Sequence, residues 1–307
     1  MIAILGAGAF GTALAVALAD RGVTLWGRGV EAWSGSRENP RLPGVMVPET
    51  VSIVGDLAAT RGAEAVLLCL PMQQLGPFLA ANAGAWTASI VACCKGIDLN
   101  TGEDAAQIVA RFSDRAPSLL TGPSFAADIA RLLPTALTLA CADATLRAEL
   151  QALLSTPQLR LYAGADVRGA ALGGALKNVI AIACGAAMGA GLGPSARAAI
   201  MTRGFAEMTR FAVQRGAQPE TLAGLSGFGD LALTCTSEAS RNYRLGLALG
   251  AGEPFDPAIT VEGAATAKAL AGAPDMPITQ TVAALVEGRI TTEDAAKALM
   301  ARPLKEE

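Results

Sequence analysis

The chain has five lysines and no histidine, which narrows the acid–base chemistry open to it. Without an imidazole, Ser-His-Asp, Cys-His and His-metal machinery are all excluded. Proton transfer near neutral pH falls instead to a lysine, a carboxylate, a tyrosine or a cysteine. Lys268, Lys297 and Lys305 stand in ordinary helical or terminal contexts. Lys177 does not: it lies in Gly173-Gly174-Ala175-Leu176-Lys177-Asn178-Val179-Ile180-Ala181, amid small and apolar residues. A lysine there either snorkels to the surface or is buried for a purpose. Lys95, in Cys94-Lys95-Gly96, follows an apolar run that ends at the carboxyl edge of a sheet, where open α/β folds bind ligands.

Gly6-Ala7-Gly8-Ala9-Phe10-Gly11 follows the apolar run Met1 to Leu5 and precedes an Ala/Leu-rich helix expected over Thr12 to Arg21, with Val23 to Trp26 as the next strand. In a strand–turn–helix–strand setting each glycine has its own task. Gly6 makes the tight turn, Gly8 lets a pyrophosphate approach the backbone, and Gly11 lets the helix lie close on the strand. An NAD site offers an acid to the ribose about 20 residues further on. This chain has Trp26-Gly27-Arg28 instead. Arg28 either pairs with a 2′-phosphate, which makes NADP the preferred cofactor with NAD possible, or is a solvated charge at a strand end.

Other groups carry chemistry of less specific kinds. Thr121-Gly122-Pro123-Ser124-Phe125-Ala126 is a strand-to-helix turn whose amides suit an anion or a plain Pro-initiated helix start. Asp230, in Gly229-Asp230, reads alone as an N-cap. Ser240-Arg241-Asn242 is either a donor set suited to phosphate or a solvated helix start. Glu262 carries no independent signal.

The elements that must position these groups divide the chain in two. Strands are expected at Val51–Val54, Ala65–Leu70, Ser89–Cys93, Ser118–Thr121 and Thr135–Ala140, and helices near 73–81, 101–112 and 144–154. Beyond Asp166 the β-branched runs vanish and Ala/Leu/Gly/Met segments take over. The expected fold class is α/β: a doubly wound, mainly parallel sheet over residues 1–165 and an all-helical domain over residues 166–307. With 52% hydrophobic residues both can build a core, and 4% aromatics with a net charge of -3 argue against nucleic acid. The six cysteines lack a Cys-x-x-Cys pair and read as buried hydrophobes in a reducing, cytoplasmic setting, with no metal. The apolar opening has no basic start, and neither Ala65–Cys94 nor Asn178–Ala196 makes a convincing membrane span.

Seven segments in order resemble the bacterial NAD(P)-dependent glycerol-3-phosphate dehydrogenase family: GAGAFGTALA from Gly6, LWGR ending at Arg28, CKGI at Lys95, TGPSFAADIA from Thr121, GGALKNVIAIACG at Lys177, GFGDLALTCTSEASRN to Asn242, and VEG at Glu262. The resemblance covers nearly the whole chain. It implies a Rossmann domain joined to a helical domain, a cleft active site, a homodimer and a role in supplying glycerophospholipid synthesis. It also implies roles for single residues. Lys177 matches the proton acceptor and forms the catalytic set with Lys95 and Asp230, while Lys95, Gly122, Ser124, Lys177, Asp230, Ser240, Arg241 and Asn242 match substrate contacts. Gly6, Gly8, Ala9, Phe10, Gly11, Arg28, Ala126 and Glu262 match cofactor contacts, with Lys95 and Arg241 also near cofactor. Two positions depart from the pattern: Ala9 stands where many members have a hydroxyl residue, and Gly29 where many have a second base.

The implied reaction is reversible reduction of dihydroxyacetone phosphate to sn-glycerol 3-phosphate. Negative charge grows on the ketone oxygen as hydride arrives, so a protonated Lys177 with Lys95 nearby suits the reducing direction. Rivals are a related hydroxyacid or ketopantoate dehydrogenase and a non-catalytic NADP sensor.

Overall fold

A computed structural model describes residues 1–300; Lys305 and the rest of the expected domain beyond residue 300 lie outside the described residues. The chain separates into two compact units, Met1–Lys95 with Glu103–Ala171, and Gly96–Gly102 with the chain from Leu172 on.

The first unit is built on one eight-stranded sheet: β1 Ile2–Leu5, β2 Val23–Trp26, β3 Ser52–Val54, β4 Ala65–Leu68, β5 Ser89–Ala92, β6 Ser118–Thr121, β7 Thr135–Cys141 and β8 Leu159–Gly164. Their spatial order is β3-β2-β1-β4-β5-β6-β7-β8. All pairs are parallel except β6 with β7. Helices α1 Ala9–Ala17, α2 Met72–Ala81, α3 Ala105–Ala110, α4 Ala126–Ala130 and α5 Ala144–Leu154 complete this unit. Central strands are buried on both faces, so their residues are apolar at successive positions rather than at alternate ones. Ile2, Ile4, Leu67 and Val91 enter one core, and Ala3, Leu5, Val66 and Leu68 the other. Strand order turns back between β1 and β4, which places the glycine turn at the switch point where such sheets bind ligands.

The second unit is helical: α6 Val167–Gly189, whose first residues belong to the first unit, α7 Gly193–Val213, α8 Pro219–Ala223, α9 Asp230–Cys235, α10 Arg241–Ala251, α11 Glu262–Ala269, α12 Pro277–Val286 and α13 Thr292–Met300. Most of α6 is core, from Leu172 through Ala187. It is long and apolar enough to cross a membrane, yet its apolar window is 94% buried by the protein itself, as befits a central helix. Where α6 meets α10, Gly185 and Gly189 face Gly246 and Gly250. A Cβ on Gly185 would stand 2.2 Å from the Tyr243 carbonyl, and one on Gly246 would stand 2.1 Å from the Ile182 carbonyl. The helices touch backbone to backbone there, which only glycine permits.

Four local expectations change. Helix α1 starts at Ala9, ahead of the expected Thr12, and its last turn tightens into a short 3-10 stretch at Ala19–Arg21. Helix α3 starts at Ala105 rather than Thr101, because Asp104 and Gln107 form a reciprocal capping box. Strand β8 was not anticipated; Arg160 and Tyr162 interrupt its apolar pattern because alternate side chains face water. Asp230 is no N-cap: it enters α9 from a turn of π-helix at Leu225–Gly229, and its side chain points inward.

Candidate active site

Within the first unit, the glycine turn has the geometry of a phosphate seat. Gly6 has φ 116, and its missing Cβ would lie 2.4 Å from the Cys69 carbonyl. Gly11 would drive a Cβ to 2.1 Å from the Gly6 carbonyl. Those two glycines are required by the fold. Gly8 is different: its backbone, φ -82 and ψ -178, suits any residue, and a Cβ there would meet nothing within 4 Å. The fold leaves Gly8 open on the side that a bound group would occupy, at the N-terminus of α1 where N–H groups and the helix dipole favour an anion. The residues therefore fit a dinucleotide pyrophosphate.

Phe10 and Ala126, expected as cofactor contacts, come together against the buried patch of Ala13, Leu42, Ile129 and Ala130, joined by Ala9. Arg28 is exposed just past the end of β2, beyond Gly27, whose missing Cβ would press on Ala7. Lys95 is half-buried after β5 and donates to the Gly122 carbonyl at 3.0 Å, which also accepts from Ser124 Oγ at 3.2 Å. Gly122 has φ 142, a backbone conformation that favours glycine in the turn after β6. Lys95, Gly122 and Ser124 thus form one cluster.

Within the second unit, Lys177 is 6% exposed, so it does not snorkel. Its Nζ lies 3.0 Å from Asp230 Oδ1 and donates to Thr234 Oγ1 at 2.7 Å; Thr234 Oγ1 in turn donates to Asp230 Oδ1 at 3.2 Å. Asp230 and Thr234 are one turn apart on α9, so one helix face supplies both partners. Burial, followed by a hydrogen bond with Cys184, pushes the Cys235 thiol well up. It stays neutral and adds no charge to the pair beside it. The triangle is a sealed, charge-matched mount for an ammonium that can give or take a proton.

Asn178 extends this mount sideways. Its Oδ1 accepts from Asn242 Nδ2 at 2.8 Å, and Asn242 Oδ1 accepts from the Gly263 N–H at 2.9 Å. A chain of hydrogen bonds therefore ties α6, α10 and the start of α11, where Glu262 occupies the first turn. Ser240 is buried and caps α10, accepting from the Tyr243 N–H at 3.2 Å, while Arg241 is exposed beside it. Sequence reasoning missed Thr234 and Asn178. The signals available were position alone: Thr234 is four residues past Asp230, and Asn178 adjoins Lys177.

The two halves of the chain match two family models, described as the NAD-dependent glycerol-3-phosphate dehydrogenase N-terminus over residues 1–147 and C-terminus over residues 166–297. The chain is similar to the glycerol-3-phosphate dehydrogenase (NAD(P)+) of Paracoccus denitrificans (strain Pd 1222), 58% identical with 100% of this chain and 99% of the relative covered. It is also similar to that of Ruegeria sp. (strain TM1040), 56% identical over the same shares. Among solved structures, the glycerol-3-phosphate dehydrogenase of Coxiella burnetii superposes with a TM-score of 0.92 at 34% identity, covering 98% of each chain.

Proposed function

This chain belongs to the NAD-dependent glycerol-3-phosphate dehydrogenase family, and on that premise we propose that Lys177 is the proton donor and acceptor of its reaction. The protein is an oxidoreductase that reduces dihydroxyacetone phosphate reversibly to sn-glycerol 3-phosphate with NADPH or NADH. The product supplies glycerophospholipid synthesis. When bound, the nicotinamide supplies hydride to the ketone carbon.

The observation that carries the assignment is the buried triangle of Lys177, Asp230 and Thr234. Lys177 gives its proton to the oxygen on which charge develops, and Asp230 and Thr234 keep the ammonium in place while it does so. Lys95 adds positive field and holds the substrate with Gly122 and Ser124. Arg241, with Ser240 and Asn242, holds the substrate phosphate, because an exposed guanidinium forms charge-assisted hydrogen bonds with a dianion. Gly6, Gly8, Ala9, Phe10 and Gly11 seat the dinucleotide, with Ala126 and Glu262 as further contacts and Lys95 and Arg241 near it. Arg28 reads the 2′-phosphate and favours NADP over NAD. The first unit is the dinucleotide domain and the second the substrate domain. The working form is a cytoplasmic homodimer.

The test is NADPH and NADH oxidation with dihydroxyacetone phosphate by wild type, Lys177→Met and Lys177→Arg. Removing one partner of a buried ion pair costs about 3–5 kcal/mol, so the methionine variant is checked for folding, and the arginine variant keeps the charge. Both should lose about 10²- to 10⁴-fold in kcat, the usual worth of a general acid, while still binding NADPH. A folded variant with near wild-type kcat rejects the assignment.

A further inference from the structure

Asn39 lies between β2 and β3, outside every segment singled out from the sequence, and is 1% exposed. Its Nδ2 donates to the Ala7 carbonyl at 3.0 Å and to Thr12 Oγ1 at 2.6 Å, while its Oδ1 accepts from the Arg41 N–H at 2.9 Å. A carbonyl can only accept and a backbone N–H can only donate, so these partners fix which way the amide faces and use both Nδ2 hydrogens. The segment that carries Asn39 is itself held down. Arg37, left-handed at φ 57, donates to the carbonyls of Val47, Pro48 and Val51. Leu42 is buried against Ala13, Ile129 and Ala130.

Ala7 precedes Gly8, and the Thr12 N–H donates to the Gly8 carbonyl at 3.0 Å. In a trans peptide the C=O and the next N–H point in opposite directions. Holding the Ala7 carbonyl toward Asn39 therefore turns the Gly8 N–H the other way, out of the protein's own hydrogen-bonding grip. We propose that Asn39 is a positioning residue for dinucleotide binding: it sets the plane of the Ala7–Gly8 peptide, so that the Gly8 N–H is already aimed when the pyrophosphate arrives. The proposal rests on the reading of the glycine turn as the pyrophosphate seat. Its energetic content is preorganisation, since a peptide plane free to rotate must be ordered at the moment of binding. The pyrophosphate is common to NADPH and NADH. Asn39 accordingly acts on both cofactors alike, whereas Arg28 discriminates between them.

The experiment measures Kd for NADPH and NADH by nucleotide fluorescence, together with kcat and KM, for Asn39→Ala, Asn39→Ser and Asn39→Asp, with Gly8→Val as the control on the seat. Asn39→Ala should weaken both dinucleotides by the same factor, about fivefold to tenfold, as expected for lost hydrogen bonds. Its kcat at saturating cofactor and its KM for dihydroxyacetone phosphate should stay as in wild type. Asn39→Ser, which keeps one donor, should fall between, and it decides the matter if the alanine variant does not fold. Asn39→Asp sets a lone pair against the Ala7 carbonyl and should be weakest. Unchanged affinities in a folded alanine or serine variant, or loss of NADPH binding alone, would overturn the proposal. Gly8→Val separates the two layers. If it leaves both affinities intact, the turn is no pyrophosphate seat; if it abolishes them while the Asn39 variants bind normally, only the positioning role is lost.

Discussion

Lys177 and Asp230 meet at 3.0 Å with side chains 8% and 2% exposed, and a pair so placed is rarely kept for stability alone. Desolvating two charges offsets much of what their attraction returns, and an apolar replacement of similar volume is often no less stable. The pair's place in the site therefore fits the proposed role of Lys177 in proton transfer better than a purely structural one. The lysine was legible because it is the lone charge in a long apolar stretch. Asp230 was legible only through the family resemblance, since its burial depends on a π-helical turn, and Thr234 gains meaning only once Asp230 faces inward. Arg28 provides a test at the same scale. Replacing it with alanine should lower the NADPH over NADH preference in kcat/KM about tenfold, about 1.4 kcal/mol, by removing the guanidinium from the 2′-phosphate. An unchanged ratio places the 2′-phosphate elsewhere.

At the scale of elements, the contact of α6 with α10 decides where several of these side chains stand. Lys177 and Asn178 ride on α6; Arg241 and Asn242 open α10. The backbone contact through Gly185, Gly189, Gly246 and Gly250 sets the separation that Asn178 and Asn242 then bridge at 2.8 Å. Gly246→Ala puts a methyl against the Ile182 carbonyl, and the helices must part. Urea unfolding should register a loss of about 1–3 kcal/mol, typical of overpacking, with a raised KM for dihydroxyacetone phosphate as Asn242 shifts. A variant as stable as wild type would mean the helices yield without penalty. The sequence showed glycines along both segments, but only packing pairs them. Strands β2 and β6 were placed residue for residue, since buried parallel strands write themselves as short apolar runs. Strand β8 escaped because Arg160 and Tyr162 face outward.

Across the whole molecule, each unit has its own core. The expected border at residue 165 came from a change in composition; the compact units divide inside α6, and Gly96–Gly102 joins the later unit although it follows β5. A composition scan cannot see a short excursion that leaves one core for another. NADPH at about 100 times its Kd should stabilise the folded chain by about 2.7 kcal/mol, and raise the calorimetric midpoint of the responding transition by roughly 5–10 °C. A midpoint indifferent to NADPH would contradict dinucleotide binding by the native state.

Helix α6 also has a life before the fold closes. As a nascent segment it presents 23 residues that satisfy the length and apolarity of a bilayer anchor. Lys177 falls near its midpoint, where a charge costs about 2.5–3.5 kcal/mol to insert. The residue we propose as the proton donor thus also sets a charge in the longest apolar helix among the described residues, which raises the cost of burying that helix in lipid rather than in its own protein.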